Sequence, residues 1–348
     1  MTPDDRLVAR VRSNCHLSDA RHGRNLTLCT YLLEMRELYR WERGIAPSMP
    51  LPRADVGNWI AGREALWESL DAADYAPVPV GTVEIDPFAV EAVNRALVPQ
   101  GLVYGAGIGR FGKPQFFVAA LEREEWHEGV RVLVAGREYA RDLSPAPAAL
   151  REDTIYLRLE ALERWLWGKA EAWALKRGEG PLKAALDAHD FAGDPMAALA
   201  RMTRTAAETL ILHELGEHAA GRELGPRWEE ILSGLTRRPA ELFVRAVRDH
   251  LADSRVTLPA LQRRDASSAL HFWFASLDGV RRELWPGLVD AYAAWCAGDG
   301  GRALRAATEA GATHWRRVCA EVLALHAAHG NAAEPAIEAF AAAPSSRL

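Results

Sequence analysis

Several features that would quickly narrow a role are scarce or missing in this 348-residue chain. Cysteine is rare: Cys15, Cys29, Cys296 and Cys319 are the only four, and no two form a CxxC pair. That excludes a disulfide scaffold and the common structural zinc modules. Cys15-His16, His22 and Cys29 fall in one stretch, but their spacing fits no common zinc site. No apolar run reaches the ~20 residues of a membrane helix. The acidic start, Met1-Thr2-Pro3-Asp4-Asp5, lacks the apolar centre of a signal peptide. There is no cationic excess either: 42 Lys and Arg face 47 Asp and Glu, a net charge of −5, which argues against a general nucleic-acid binder. The expectation is a cytoplasmic protein with reduced thiols and with neither a membrane nor a nucleic acid as partner.

What is present is ordinary globular material, 49% apolar and 26% charged, with twelve tryptophans outnumbering nine phenylalanines. Helical periodicity predicts helices over 24–43 and 54–70, and a third opened by Asp86-Pro87 and closed near Pro99-Gln100-Gly101. The period then changes, and 102–104, 115–121 and 130–134 read as strands. Gly105, Gly107, Gly109 and Gly112 lie between the first two. A strand follows them where a phosphate cradle needs a helix, so they read as a hairpin connection. Ser144-Pro145-Ala146-Pro147 marks the expected boundary. Beyond it the pattern is helical: 149–175 with a seam of Ile155, Leu159, Leu162 and Leu166, a helix begun by Asp194-Pro195 and stopped by Gly221 and Gly225-Pro226, and one from Arg238-Pro239 to about 254 with Phe243, Val247 and Leu251 inward. The expected fold is mainly α. An N-terminal α+β part with a small antiparallel sheet (1–148) precedes an all-helical part (149–340) and a disordered tail (341–348).

The chemistry concentrates in Leu210-Ile211-Leu212-His213-Glu214-Leu215-Gly216-Glu217-His218. At about 100° per residue, Glu217 falls about 40°, Glu214 about 100° and His218 about 140° from His213, all on one arc of the helix. His213 and Glu217 are four apart, as are Glu214 and His218, so either pair can close on one ion. An ordinary amphipathic surface helix carries a polar arc too. His250, on the apolar face of the next long helix, and Asp253 are the expected further ligands. A lone histidine there is more often a hydrogen-bonded core residue.

His213-Glu214-Leu215-Gly216 resembles the opening of the HExxH zinc-protease motif, over this helix only. The resemblance implies His213 as ligand and Glu214 as the base that activates water. The next ligand position carries Glu217, and His218 comes one residue late. Separately, Asn14-Cys15-His16-Leu17-Ser18-Asp19-Ala20, Tyr31-Leu32-Leu33, Arg36-Glu37-Leu38-Tyr39-Arg40-Trp41-Glu42 and Arg137-Glu138-Tyr139-Ala140-Arg141-Asp142-Leu143 resemble an uncharacterised family of bacterial proteins to which no activity is attached.

These observations lead to a divalent-metal-binding protein, zinc ahead of iron, able to support hydrolysis of a small molecule or peptide by a metal-bound water. Glu214 is the catalytic candidate; His213, Glu217, His218, His250 and Asp253 are the metal candidates. One alternative is a dinuclear carboxylate iron protein drawing on Glu160 or Glu163. The other is a non-catalytic helical interaction protein in which carboxylate–imidazole pairs hold helices together.

Overall fold

The computed structural model describes residues 3–70, 73–109, 112–264, 266–277 and 279–348. It divides into two compact units, Met1–Lys169 and Ala170–Leu348. Among the described residues no helix is long and apolar enough to cross a membrane.

The first unit contains helices α1 (Asp5–His22), α2 (Leu28–Glu42) and α3 (Arg53–Leu70), then strands β1 (Val78–Val80) and β2 (Val83–Ile85) and helix α4 (Val90–Leu97). Strands β3 (Leu102–Ile108), β4 (Pro114–His127), β5 (Val130–Arg141), β6 (Ala148–Arg151) and β7 (Thr154–Arg158) follow. Helix α5 (Leu159–Lys176) carries the chain onward. The main sheet is curled, with strand order β3-β4-β5-β7-β6. Its β3–β4 hairpin pairs Leu102 with Ala120 through Ile108 with Pro114, so the glycine-rich stretch is a hairpin connection; its residues 110 and 111 lie outside the described ones.

Three expectations are corrected here. The sheet is mixed rather than purely antiparallel, because β7 runs parallel to β5, with Val132 opposite Ile155. The stretch 149–158 forms two strands joined by a turn, not helix. Ile155 lies four residues before Leu159 and so continued the α5 seam on paper, but Thr154-Ile155-Tyr156 is β-branched and aromatic and is buried throughout. Residues 5–22, which carried no helix signal, form α1. Its inward stripe starts as Leu7, Val11 and Cys15 but continues in Asn14, Ser18 and Asp19, polar groups buried because they tie down loops. Asn14 brackets Ala76, and the Asp19 carboxylate accepts from Leu143 N–H at 2.9 Å and Lys113 Nζ at 2.6 Å. Two of the stretches that carry the bacterial-family resemblance, 14–20 and 137–143, therefore meet across the sheet.

The second unit is helical: α6 (Pro181–Asp187), α7 (Pro195–Leu224), α8 (Pro226–Gly234), α9 (Arg238–Ala252), α10 (Leu258–Arg263), α11 (Ser267–Ser276), α12 (Gly279–Leu284), α13 (Pro286–Cys296), α14 (Arg302–His329) and α15 (Glu334–Ala342). Asp194 caps α7 through the Ala197 N–H, and Gly225 at φ 74° ends it, as the sequence indicates, whereas the helix runs on through Gly221, also expected as a stop. Between α9 and α10 the chain makes a π-helical turn, Asp253–Thr257. The core packs Phe243, Val247 and Leu251 of α9 against Trp228, Trp285 and Trp315. The residues beyond 341, expected as a disordered tail, are held by hydrogen bonds: Ser346 is fully buried, and Leu348 N–H donates to the Leu284 carbonyl at 2.9 Å.

Helix α7 passes tightly against α9 at Gly216, where a Cβ would stand 2.8 Å from the Ala252 carbonyl oxygen. Gly221, five residues on, has nothing within 4 Å of the same position. Gly216→Ala is therefore expected to cost about 1–3 kcal/mol by forcing the helices apart. Gly221→Ala should instead stabilise by about 0.5–1 kcal/mol through helix propensity. Urea unfolding of the two variants checks the contrast, and equal effects would contradict the close passage.

Candidate metal centre

The contact at Gly216 sets two helix faces against each other. On α7, His213 and Glu217 stand one turn apart. On α9 and its π extension, Asp249 and Asp253 are also four apart, about 40° from each other around the helix. One ligand atom each from His213, Glu217 and Asp249 lies within 4.8 Å of the other two, a group that could hold a metal ion. Among the described residues it is the one such group of histidine, cysteine and carboxylate side chains.

The geometry of His213 is fixed from behind. Its Nδ1 donates to Asp253 Oδ1 at 2.9 Å, and its Nε2 faces Glu217 Oε1 at 3.2 Å. A carboxylate on one ring nitrogen orients the other toward an ion, as in most histidine metal sites. Asp253 is fully buried, and Arg281 Nη2 donates to its second oxygen. Arg248 Nη2 donates to Glu217 Oε2 at 2.7 Å. Asp249 hydrogen-bonds Glu217, and the Arg281 Nε lies 3.9 Å from its carboxylate. The side chains of His213, Glu217, Arg248, Asp249 and Arg281 keep between 16% and 22% exposure, so the group lies at the edge of the core within reach of solvent.

The electrostatics follow from this crowding. Burial works against a charged His213, yet the Asp253 carboxylate and the Glu217 hydrogen bond hold its pKa well above the ordinary histidine value. Burial likewise opposes the Glu217 charge, but the hydrogen bond from His213 and the charge of Arg248 lower its pKa to about 2. Asp249, buried beside the Glu217 charge, is raised to about 6. Glu214 is raised to about 8, first by burial and then by Glu217. Burial and the Glu217 charge therefore favour its protonated form at neutral pH.

Of the residues expected at the centre, the structure brings together His213 and Glu217, places Asp253 behind His213 rather than in the group, and sets Glu214 nearby. His250 does not join them. Its ring is fully buried, stacked on Trp315 at 4.5 Å and edge-on to Trp285 at 5.2 Å, with Nε2 donating to the Arg281 carbonyl at 2.8 Å. Burial lowers its pKa to about 3, so it stays neutral. His218 is half-buried and outside the group, because its side chain leaves α7 about 100° round from Glu217. Glu160 and Glu163 belong to the first unit, where Glu160 accepts from Trp41 Nε1 at 3.0 Å. Asp249 was missed. Its signal was there to read: with Asp253 it forms the same four-residue spacing as His213 and Glu217.

A separate open space lies in the first unit. A cleft of about 900 Å³ in the first unit is lined by Arg40, Trp41, Glu138, Arg141 and Arg164 among others. Its charges are largely matched internally: Arg63 pairs with Glu42 at 2.6 Å, Glu138 with Arg141 and Arg158, and Arg164 with Glu34. Cys15, Cys29 and the nearby histidines form no cluster: Cys15 Sγ donates to the Phe116 carbonyl and His16 meets Arg63.

The Glu214 proton can be tested through stability. Its ordinary pKa is near 4.5, so the unfolded chain loses this proton first as pH rises, while the folded chain keeps it to about 8. Stability should then fall between these values. Glu214→Gln should remove that share, flattening the decline between pH 5 and 8 by on the order of 2 kcal/mol. Urea unfolding at both pH values with a chelator present measures it; an unchanged slope would show a carboxylate already ionised.

Comparison with known proteins adds identity without activity. No curated protein and no solved structure matches the chain. Two family models do, over residues 6–158 and 163–344, described as the N-terminal and C-terminal domains of a family of unknown function, DUF6866. The two matches span nearly the whole sequence and meet just beyond β7; the chain belongs to the DUF6866 family.

Proposed function

We propose that this protein binds one divalent metal ion through His213 Nε2, Glu217 and Asp249, zinc ahead of iron, and uses it for hydrolysis of a small-molecule or peptide substrate in the cytoplasm. The observation that carries the reading is the convergence of three ligand atoms of the types zinc accepts, one of them on a histidine braced by a buried carboxylate. A bound ion would supply a Lewis acid and lower the pKa of a coordinated water to about 7. Glu214 is the proton acceptor: the ion's charge favours its carboxylate over the protonated form it holds otherwise. Three protein ligands leave a coordination position for substrate, the pattern of catalytic rather than structural zinc sites.

A second reading rests on Arg248 and Arg281. These guanidiniums already pair with Glu217, Asp249 and Asp253, so the same side chains can serve as a metal-free charged network between α7 and α9. The dinuclear iron reading finds less support, since no second group of histidine and carboxylate ligands accompanies this one among the described residues.

Elemental analysis of the purified full chain separates these readings. One metal per chain is expected, lost in His213→Ala and Asp249→Asn and retained in His250→Ala, which should lose only stability. Asp253→Asn should weaken metal binding by roughly ten- to a hundred-fold. Because His213 must release its Nε2 proton to bind, and its pKa is raised, affinity should fall as the pH drops toward 6. A metal-free wild type whose variants merely unfold more easily would support the charged network; two metals per chain would support the dinuclear site.

A further inference from the structure

Each carboxylate ligand of the proposed centre has a guanidinium beside it. Arg248 Nη2 donates to Glu217, and Arg281 lies against Asp249 while donating to Asp253. The outer nitrogen of Arg248, Nη1, meets Glu229 at 3.3 Å, and that side chain is 66% exposed. An exposed ion pair of this kind contributes little and exchanges readily. Arg281 is positioned from its other side by the Trp273 ring, 5.7 Å from the guanidinium carbon. Both arginines keep 16% to 22% exposure, so they border solvent at the same edge as the ligands.

Guanidinium forks match planar and tetrahedral oxyanions through paired N–H donors, where a lysine would offer a single point charge. An ion held by Glu217 and Asp249 also draws on the carboxylate charge that the two guanidiniums now balance, freeing their field for an incoming anion. We infer that Arg248 and Arg281 make this an oxyanion-binding centre whose substrate carries a phosphate-type group, bridging the ion and both guanidiniums. This rests on the metal-binding reading above. A tetrahedral dianion can meet three positive groups at once, whereas a planar carboxylate satisfies one fork and little more. Arg248 and Arg281 are thus specificity-determining residues, with Glu217 and Asp249 linking their position to the ion.

Calorimetric titration of inorganic phosphate and of acetate into the zinc-loaded full chain tests this, with zinc content measured on the same samples. Phosphate is expected to bind at least ten-fold more tightly than acetate, and more tightly than to the zinc-free protein. Arg248→Gln and Arg281→Gln should each lower phosphate affinity ten-fold or more at unchanged zinc stoichiometry. Arg248→Lys and Arg281→Lys, which keep the charge for folding, should lower it several-fold. Zinc-bound protein that shows no preference for phosphate, or arginine variants that hold zinc and bind phosphate like the wild type, would overturn this inference alone. Wild-type protein that takes up no zinc would overturn it together with the reading it rests on.

Discussion

The organisation of the second unit depends on one buried carboxylate. Asp253 is fully removed from water and would be costly there alone; His213 and Arg281 together offset that cost from two sides. Each partner comes from a different helix, α7 and α12, so the carboxylate is a junction as well as a charge. The junction forms only because α7 lies nearly against the α9 backbone, and that in turn requires Gly216 facing Ala252. A side chain at 216 would press on the Ala252 backbone and Cβ and so draw the imidazole away from its acceptor.

The π turn after Ala252 belongs to the same arrangement. Its wider spiral takes Asp253–Thr257 out of the regular α9 path and returns the chain to helix at Leu258, with the Leu258 N–H on the Asp253 carbonyl. Turns of this kind are frequent at functional sites because they redirect side chains without ending a helix. Here the redirected residues include the one that holds His213.

Much of this was legible in the sequence, and the failures have physical causes. The cap at Asp194, the stop at Gly225 and the four-residue spacing of His213 and Glu217 are local signals, and each appears as read. The strands β6 and β7 were not legible. Ile155 mimics a helical seam, and a strand buried on both faces loses the alternation that identifies a strand. Helix α1 escaped because polar residues finish its buried stripe, and their partners lie up to 124 residues away. The third member of the group that could hold an ion, Asp249, was passed over in favour of His250 and Asp253 for a related reason. His250 has the more familiar metal chemistry, but it points into the tryptophan core, and only the facing helix shows that Asp249 is the residue turned toward α7.

The strand order of the first unit bears on how the chain is made. β7 is the final strand in sequence but enters the sheet between β5 and β6, running alongside β5 in the same direction. Until Arg158 has left the ribosome, the outer border of β5 lacks its neighbour and β6 has nothing to join. The nascent sheet thus exposes an unpaired strand for the time needed to translate residues 142–158, the interval in which it is most open to mispairing.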